Sequence, residues 1–117
     1  MDEIPRESQQ LLQHAQVYQQ QMQGFLVQKE SLKLQQMEIK KAVEEVEGSK
    51  STDIYKLTGP LMIKTSKAEA QKELKEKLEL IETRINTLEK KEKHIKEKIE
   101  ELRERLTKGT GGGKAAG

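Results

Sequence analysis

Three features of this chain could do chemistry: a pair of histidines, His14 and His94; the glycine-rich run Gly109-Thr110-Gly111-Gly112-Gly113-Lys114; and a lysine-laden C-terminal half. Paired histidines can ligate a metal or move protons, a Gly-rich loop closing on Lys can cradle phosphates, and a basic helix can bind nucleic acid. Each is weakened by its surroundings. Neither histidine has a second His, Asp or Glu at a metal-ligand spacing on a shared helical face, so both are expected as solvated surface residues. A phosphate loop needs a strand before it and a helix after it, and Gly111 to Lys114 has neither. From Lys67 to Lys108 there are 13 basic residues, but 11 acidic ones are interleaved with them and no aromatic is present for base stacking, so this half reads as a solvated face and no nucleic acid is expected as partner. The absence of Cys excludes disulfides, zinc ribbons and thiol nucleophiles. No catalytic residue, metal or cofactor is expected.

The elements that carry these residues follow from composition and punctuation. Of 117 residues, 36% are charged and 32% hydrophobic, with one Phe, two Tyr and no Trp. An ordinary globular domain is roughly 45–50% apolar, and a single Phe cannot fill the centre of a compact core. Disorder is not indicated either, since Pro numbers only 2 and 22 basic residues nearly balance 20 acidic ones. Long solvated helices fit these figures. Residues 5–47 and 66–108 are two stretches rich in helix formers, interrupted only by Gly24. Pro5 suits a first helical turn, Gly48 is placed to end the first helix with φ > 0, and Ser66 with Glu69 has capping-box spacing. Between them, within 48–65, Ile54 to Leu57 and Leu61 to Lys64 flank Gly59-Pro60 and predict two short strands joined by a turn. Two helices and a hairpin offer no concave site for an enzyme. No apolar run approaches the ~20 residues of a membrane span, and the charged start predicts no secretory signal; a cytoplasmic address is expected, without a membrane partner. Residues 109–117 read as a flexible tail.

The periodicity of the helices is sharper than their composition. Stepping by seven from Ile4 meets Leu11, Tyr18, Phe25, Leu32, Ile39 and Val46, with Ser8, Ala15, Met22, Lys29, Gln36 and Val43 as the companion series. The second stretch gives Leu74, Ile81, Leu88, Ile95, Leu102 and Leu78, Ile85, Glu92, Ile99, Leu106. A 3.5-residue repeat held this long is the coiled-coil signal. The fold class is therefore mainly α: an antiparallel two-helix coiled-coil hairpin with one short β-hairpin between the helices. Facing residue numbers should sum to a near-constant, near 117 (Ile39 opposite Leu78, Leu32 opposite Ile85) or near 110. Lys29 and Glu92 interrupt the seam and are expected mainly to snorkel to water, with a role in fixing register as the sharper alternative. On the second helix Glu73 to Lys77, Glu89 to Lys93, Glu92 to Lys96 and Glu101 to Arg105 are spaced as i,i+4 ion pairs.

What the seam leaves over is apolar surface. Leu12, Val17, Leu26, Val27, Leu34 and Met37 lie off the seam of the first helix, against Leu80 alone on the second. The hairpin makes a stronger case. Two strands are marginally stable in water, their edges are open, and Ile54, Tyr55, Leu57, Leu61, Met62 and Ile63 have no core of their own, so the hairpin is expected to drive oligomerisation. Two rival roles remain: a structural scaffold or tether that spaces two partners without binding clients, and a nucleic-acid-binding coiled-coil arm.

The segment Ile54-Tyr55-Lys56-Leu57-Thr58-Gly59-Pro60-Leu61-Met62-Ile63-Lys64, set between two equal heptad helices, resembles the beta-type subunit of prefoldin, the archaeal form in particular. Alpha-type subunits carry a longer insert with two hairpins, and the short link here has room for one. The likeness covers residues 4–108. It implies an ATP-independent chaperone in which two alpha and four beta subunits join their hairpins into a double β-barrel platform bearing six coiled coils, whose distal tips hold unfolded client proteins and pass them to a group II chaperonin. By this resemblance the platform residues are Ile54, Tyr55, Leu57, Gly59, Pro60, Leu61, Met62 and Ile63, and the client-binding tips are Ile4, Leu11, Leu12, Ile99, Leu102 and Leu106.

Overall fold

The computed structural model describes residues 6–108, in the order α1 (Arg6–Gly48), β1 (Asp53–Thr58), β2 (Leu61–Ser66) and α2 (Lys67–Thr107). The class is the expected one, two long helices with an antiparallel β-hairpin between them. Ile4 and Pro5, and the expected tail 109–117, lie outside the described residues. The chain divides into two compact units. A terminal unit joins the first part of α1, through Gln28, to α2 from Thr87 onward; a central unit, Lys29–Asn86, holds the rest of both helices and the hairpin.

Burial follows the heptads. On α1 every residue of the two series from Ser8 to Val46 is buried or half-buried, and on α2 the same holds from Leu74 to Leu106. The apolar residues most withdrawn from water are Leu11, Ile81, Ile85, Leu88, Ile95 and Leu102 of the heptad series, with Ala70 beside the hairpin, so most of the hydrophobic stabilisation of each unit lies in this seam. In the central unit Ile39 shares a groove with Leu74 and Ile81, which flank Leu78. In the terminal unit Phe25 lies with Lys91, His94 and Ile95. Both match a facing sum near 117. A sum near 110 would set Ile39 over Gln71 and Phe25 over Ile85.

Three expectations are corrected. Gly48 is the last helical residue of α1 and does not adopt positive φ; the helix closes instead by a tighter turn, in which the Ser49 amide donates to the Val46 carbonyl at 3.2 Å. Glu92 does not snorkel. It is only 6% exposed, because its position on the seam face points a short side chain inward, whereas the longer Lys29 stays half-buried. Two of the expected pairs on α2 are also replaced: Glu73 turns to Lys56 at 3.2 Å and Glu101 pairs with Lys98 at 3.7 Å, while Glu100 pairs with Arg103 at 3.5 Å. The two pairs within the helix are at i,i+3 spacing and the third leaves it, since Lys56 of the hairpin comes within reach. Ser66 does cap α2, its hydroxyl accepting from the Glu69 amide at 3.1 Å. Among the described residues no helix is long and apolar enough to cross a membrane.

Candidate functional site

The hairpin is assembled from local hydrogen bonds before any packing is counted. Beyond α1, the Ser49 hydroxyl accepts from the Ser51 amide at 3.2 Å and the Ser51 hydroxyl from the Asp53 amide at 3.1 Å; these serine turns lead the chain from helix to strand. Gly59 has φ 59° and is followed by Pro60, whose ring holds φ near −65°. That sequence of φ values is the type II′ pattern, whose twist suits a two-residue hairpin and which takes Gly at its first central position. The register follows, pairing Ile54 with Thr65, Tyr55 with Lys64, Lys56 with Ile63, Leu57 with Met62 and Thr58 with Leu61.

Opposed residues share a face, so the ladder sorts the apolar residues into two sets. One face carries Ile54, Thr65, Lys56 and Ile63. At its base Ile54 is half-buried over a groove lined by Ala42, Val46, Ala70 and Leu74, so this member of the expected assembly set packs in part on its own helices. The other face carries Tyr55, Leu57 and Met62, exposed by 57%, 76% and 68%, with Lys64 reaching Asp53 at 3.5 Å. Near the turn Leu61 and Ile63 are also exposed, as are Gly59 and Pro60. The expected oligomerisation residues are thus gathered on one short sheet, and apart from Ile54 they lie open to solvent.

Polar contacts anchor this sheet in ways the apolar pattern did not reveal. The Lys56 ammonium donates to both carboxylate oxygens of Glu73, at 3.3 and 3.2 Å, joining β1 to α2. Lys67 donates to the carbonyls of Glu47 and Ser49, at 3.1 and 3.2 Å, placing a cation at the negative end of α1. The available signal was the alternation itself, since Lys56 stands on the Ile54 face, toward the helices.

The expected client-binding residues are found in the terminal unit. Leu11 and Leu102 are buried in the seam, Ile99 and Leu106 are half-buried, and Leu12 is 43% exposed; Ile4 is not described. Leu12 is therefore the member of this set that lies open on the folded surface. His14 and His94 are both exposed, and among the described residues no cluster of three His, Asp or Glu could hold a metal.

A family model described as prefoldin subunit matches residues 9–112. The chain is 45% identical to the prefoldin subunit beta of Thermococcus onnurineus over 107 residues, covering 91% of this chain and 92% of that one. It is 44% identical to that of Pyrococcus furiosus over 109 residues, with the same coverage. Among solved structures, the prefoldin beta subunit from Thermococcus strain KS-1 superposes with a TM-score of 0.84 at 41% identity, covering 92% of this chain and 95% of that one.

Proposed function

The chain belongs to the prefoldin family as a beta-type subunit, which implies a chaperone role, and on that premise we propose that it acts as an ATP-independent holdase. Its hairpin joins those of other subunits, two alpha and four beta, in a β-barrel platform; the ends of its coiled coil hold unfolded proteins and deliver them to a group II chaperonin in the cytoplasm. The observation that carries this reading is the hairpin surface. Five large apolar residues, Tyr55, Leu57, Leu61, Met62 and Ile63, are exposed on a two-stranded sheet with free edges. Each would contribute roughly 1.5–3 kcal/mol if fully covered, and pairing of the edges would supply the covering strands. A scaffold needs no such surface. Client holding is supported by Leu12 and by seam residues at the helix ends, where fraying releases apolar side chains most readily. Many weak apolar contacts on several arms would then bind by avidity rather than by a fitted pocket.

The test is Tyr55→Ser with Ile63→Ser. Sedimentation of the chain mixed with an alpha-type subunit should show loss of the hexamer while circular dichroism stays strongly helical; a hexamer that survives both changes overturns the assembly role. Client holding is tested apart from it by Leu12→Ser, which should preserve the hexamer and weaken suppression of aggregation of a chemically unfolded protein, with or without ATP.

A further inference from the structure

The terminal unit contains an open groove of about 310 Å³ lined by Phe25 of α1 and by Thr87, Lys90, Lys91, His94 and Ile95 of α2. Its floor is apolar, with Phe25 half-buried and Ile95 8% exposed. Its rim carries the two cations Lys90 and Lys91, with His94 exposed beside them. The charge is one-sided for reasons visible in the sequence. Along α2 the successive heptad positions Thr87, Lys91, His94 and Lys98 carry no acid before Glu101, which is engaged by Lys98, and the acid nearest His94 on its outer side is Glu97, three residues on. Glu92, within the same stretch, is buried in the seam. On the α1 side residues 8–28, which include Phe25, contain no Asp, Glu, Lys or Arg. Gly24, beside Phe25, adds no side chain, and a Cβ there would meet no atom within 4 Å.

We propose that this groove is a second holding site, selective for segments of unfolded polypeptide in which carboxylates flank a large apolar side chain. The apolar side chain enters between Phe25 and Ile95, and the carboxylates meet Lys90 and Lys91. The occupant rests on the client-holding reading above, but the surface is separate from Leu12. Charge complementarity selects an acidic segment over a neutral one. The floor selects polypeptide over RNA, since a single Phe is no platform for successive bases.

The experiment is fluorescence anisotropy on the full chain with three probes: a short Gly/Ser peptide bearing one phenylalanine flanked by glutamates, the same peptide with glutamines, and an oligouridylate. The glutamate peptide should bind best and weaken as salt is raised. Lys90→Gln with Lys91→Gln and His94→Gln, all exposed, should weaken it about tenfold, as expected for the loss of two partly exposed charge contacts, and leave the glutamine peptide unchanged. Gly24→Glu, whose Cβ would meet no atom within 4 Å, adds a carboxylate next to Phe25 in the chain and should weaken the glutamate peptide alone, with helicity retained. Leu12→Ser should change none of these affinities. Equal binding of the two peptides, indifference to the triple substitution, preferential binding of the oligouridylate, or loss of peptide binding in Leu12→Ser overturns the proposal. Failure of the client-holding reading would show separately, as unimpaired aggregation suppression by Leu12→Ser.

Discussion

The two helices obey the same seven-residue repeat and spend the rest of their surface differently. On α2 six apolar residues, Ala70, Ile81, Ile85, Leu88, Ile95 and Leu102, are buried, whereas on α1 only Leu11 is. Off the seam the order reverses: α1 exposes Leu12, Val17, Leu26, Val27, Leu34 and Met37, and α2 exposes Leu80. The seam of α1 includes Tyr18, Met22 and Phe25, long side chains that stay half-buried. A heptad pattern thus states which face is shared but not which helix supplies the covered atoms. The difference suits a division of labour in which α2 supplies buried contacts and solvated charge, while α1 keeps apolar surface available.

The asymmetry between the helices has its largest energetic consequence on the buried side. Ile85→Ala and Leu88→Ala each remove a side chain that is 7% exposed, and each is expected to destabilise the chain by about 2–5 kcal/mol. Leu34→Ala and Val27→Ala, at 57% and 67% exposure, should stay within about 0.5 kcal/mol. Urea unfolding followed by circular dichroism separates the two outcomes. Equal losses from both helices would mean that the exposed residues of α1 are covered in the free chain and that the asymmetry has no energetic content.

A smaller effect sharpens the same contrast at the one charged residue within the buried set of α2. Glu92 lies between Leu88 and Ile95 in the seam and is as withdrawn from water as they are. Taking a carboxylate out of water carries a desolvation cost that its interactions offset only in part, and apolar replacement of buried charges is often stabilising by about 1–4 kcal/mol. Glu92→Leu should therefore raise the urea midpoint. If Glu92 also fixes the register, the more stable variant will populate a second pairing, visible as doubled amide resonances. A lower midpoint would show that the carboxylate contributes more than a leucine in the same place.

Much of the fold is legible in the sequence because its signals are local and periodic. The heptads mark the seam residue by residue, Ser66 with Glu69 marks the start of α2, and Gly59-Pro60 marks the turn. The ambiguous register becomes clear only where side chains of both helices line one groove, as Ile39 does with Leu74 and Ile81. Contacts between elements escape for the same reason: Lys56 to Glu73 and Lys67 to the end of α1 join residues 17 to 20 positions apart, and no periodicity encodes such distances. The apolar residues of the hairpin read as one set in the sequence, yet strand alternation divides them, turning Ile54 toward Val46 and Leu74 while Tyr55, Leu57 and Met62 face solvent. Glu92 escapes because a charged residue in a seam has two exits, outward along the surface or inward between the helices, and spacing does not choose between them.

A smaller effect than that at Glu92 concerns Gly24, the one glycine within a stretch of α1 that is otherwise rich in Gln and apolar residues. It is helical, without positive φ, so its backbone gives no reason for glycine, and an added methyl would meet no atom within 4 Å. Gly in a helix interior is less favourable than Ala by roughly 0.5–1 kcal/mol, because the unfolded chain loses more freedom on folding. Gly24→Ala should therefore stabilise the chain by about that amount, a rise of roughly 4 °C in thermal midpoint for a domain of this size. It should also leave binding of the glutamate-flanked peptide unchanged, because a methyl group brings no charge to the Phe25 groove. If the midpoint rises while peptide binding falls, the open flank beside Phe25 is required by the ligand itself, and α1 forgoes stability there to keep a surface uncovered. If the midpoint does not rise, a cost other than steric contact offsets the helix propensity at this position, and the contrast between a packed α2 and an available α1 does not extend to the backbone.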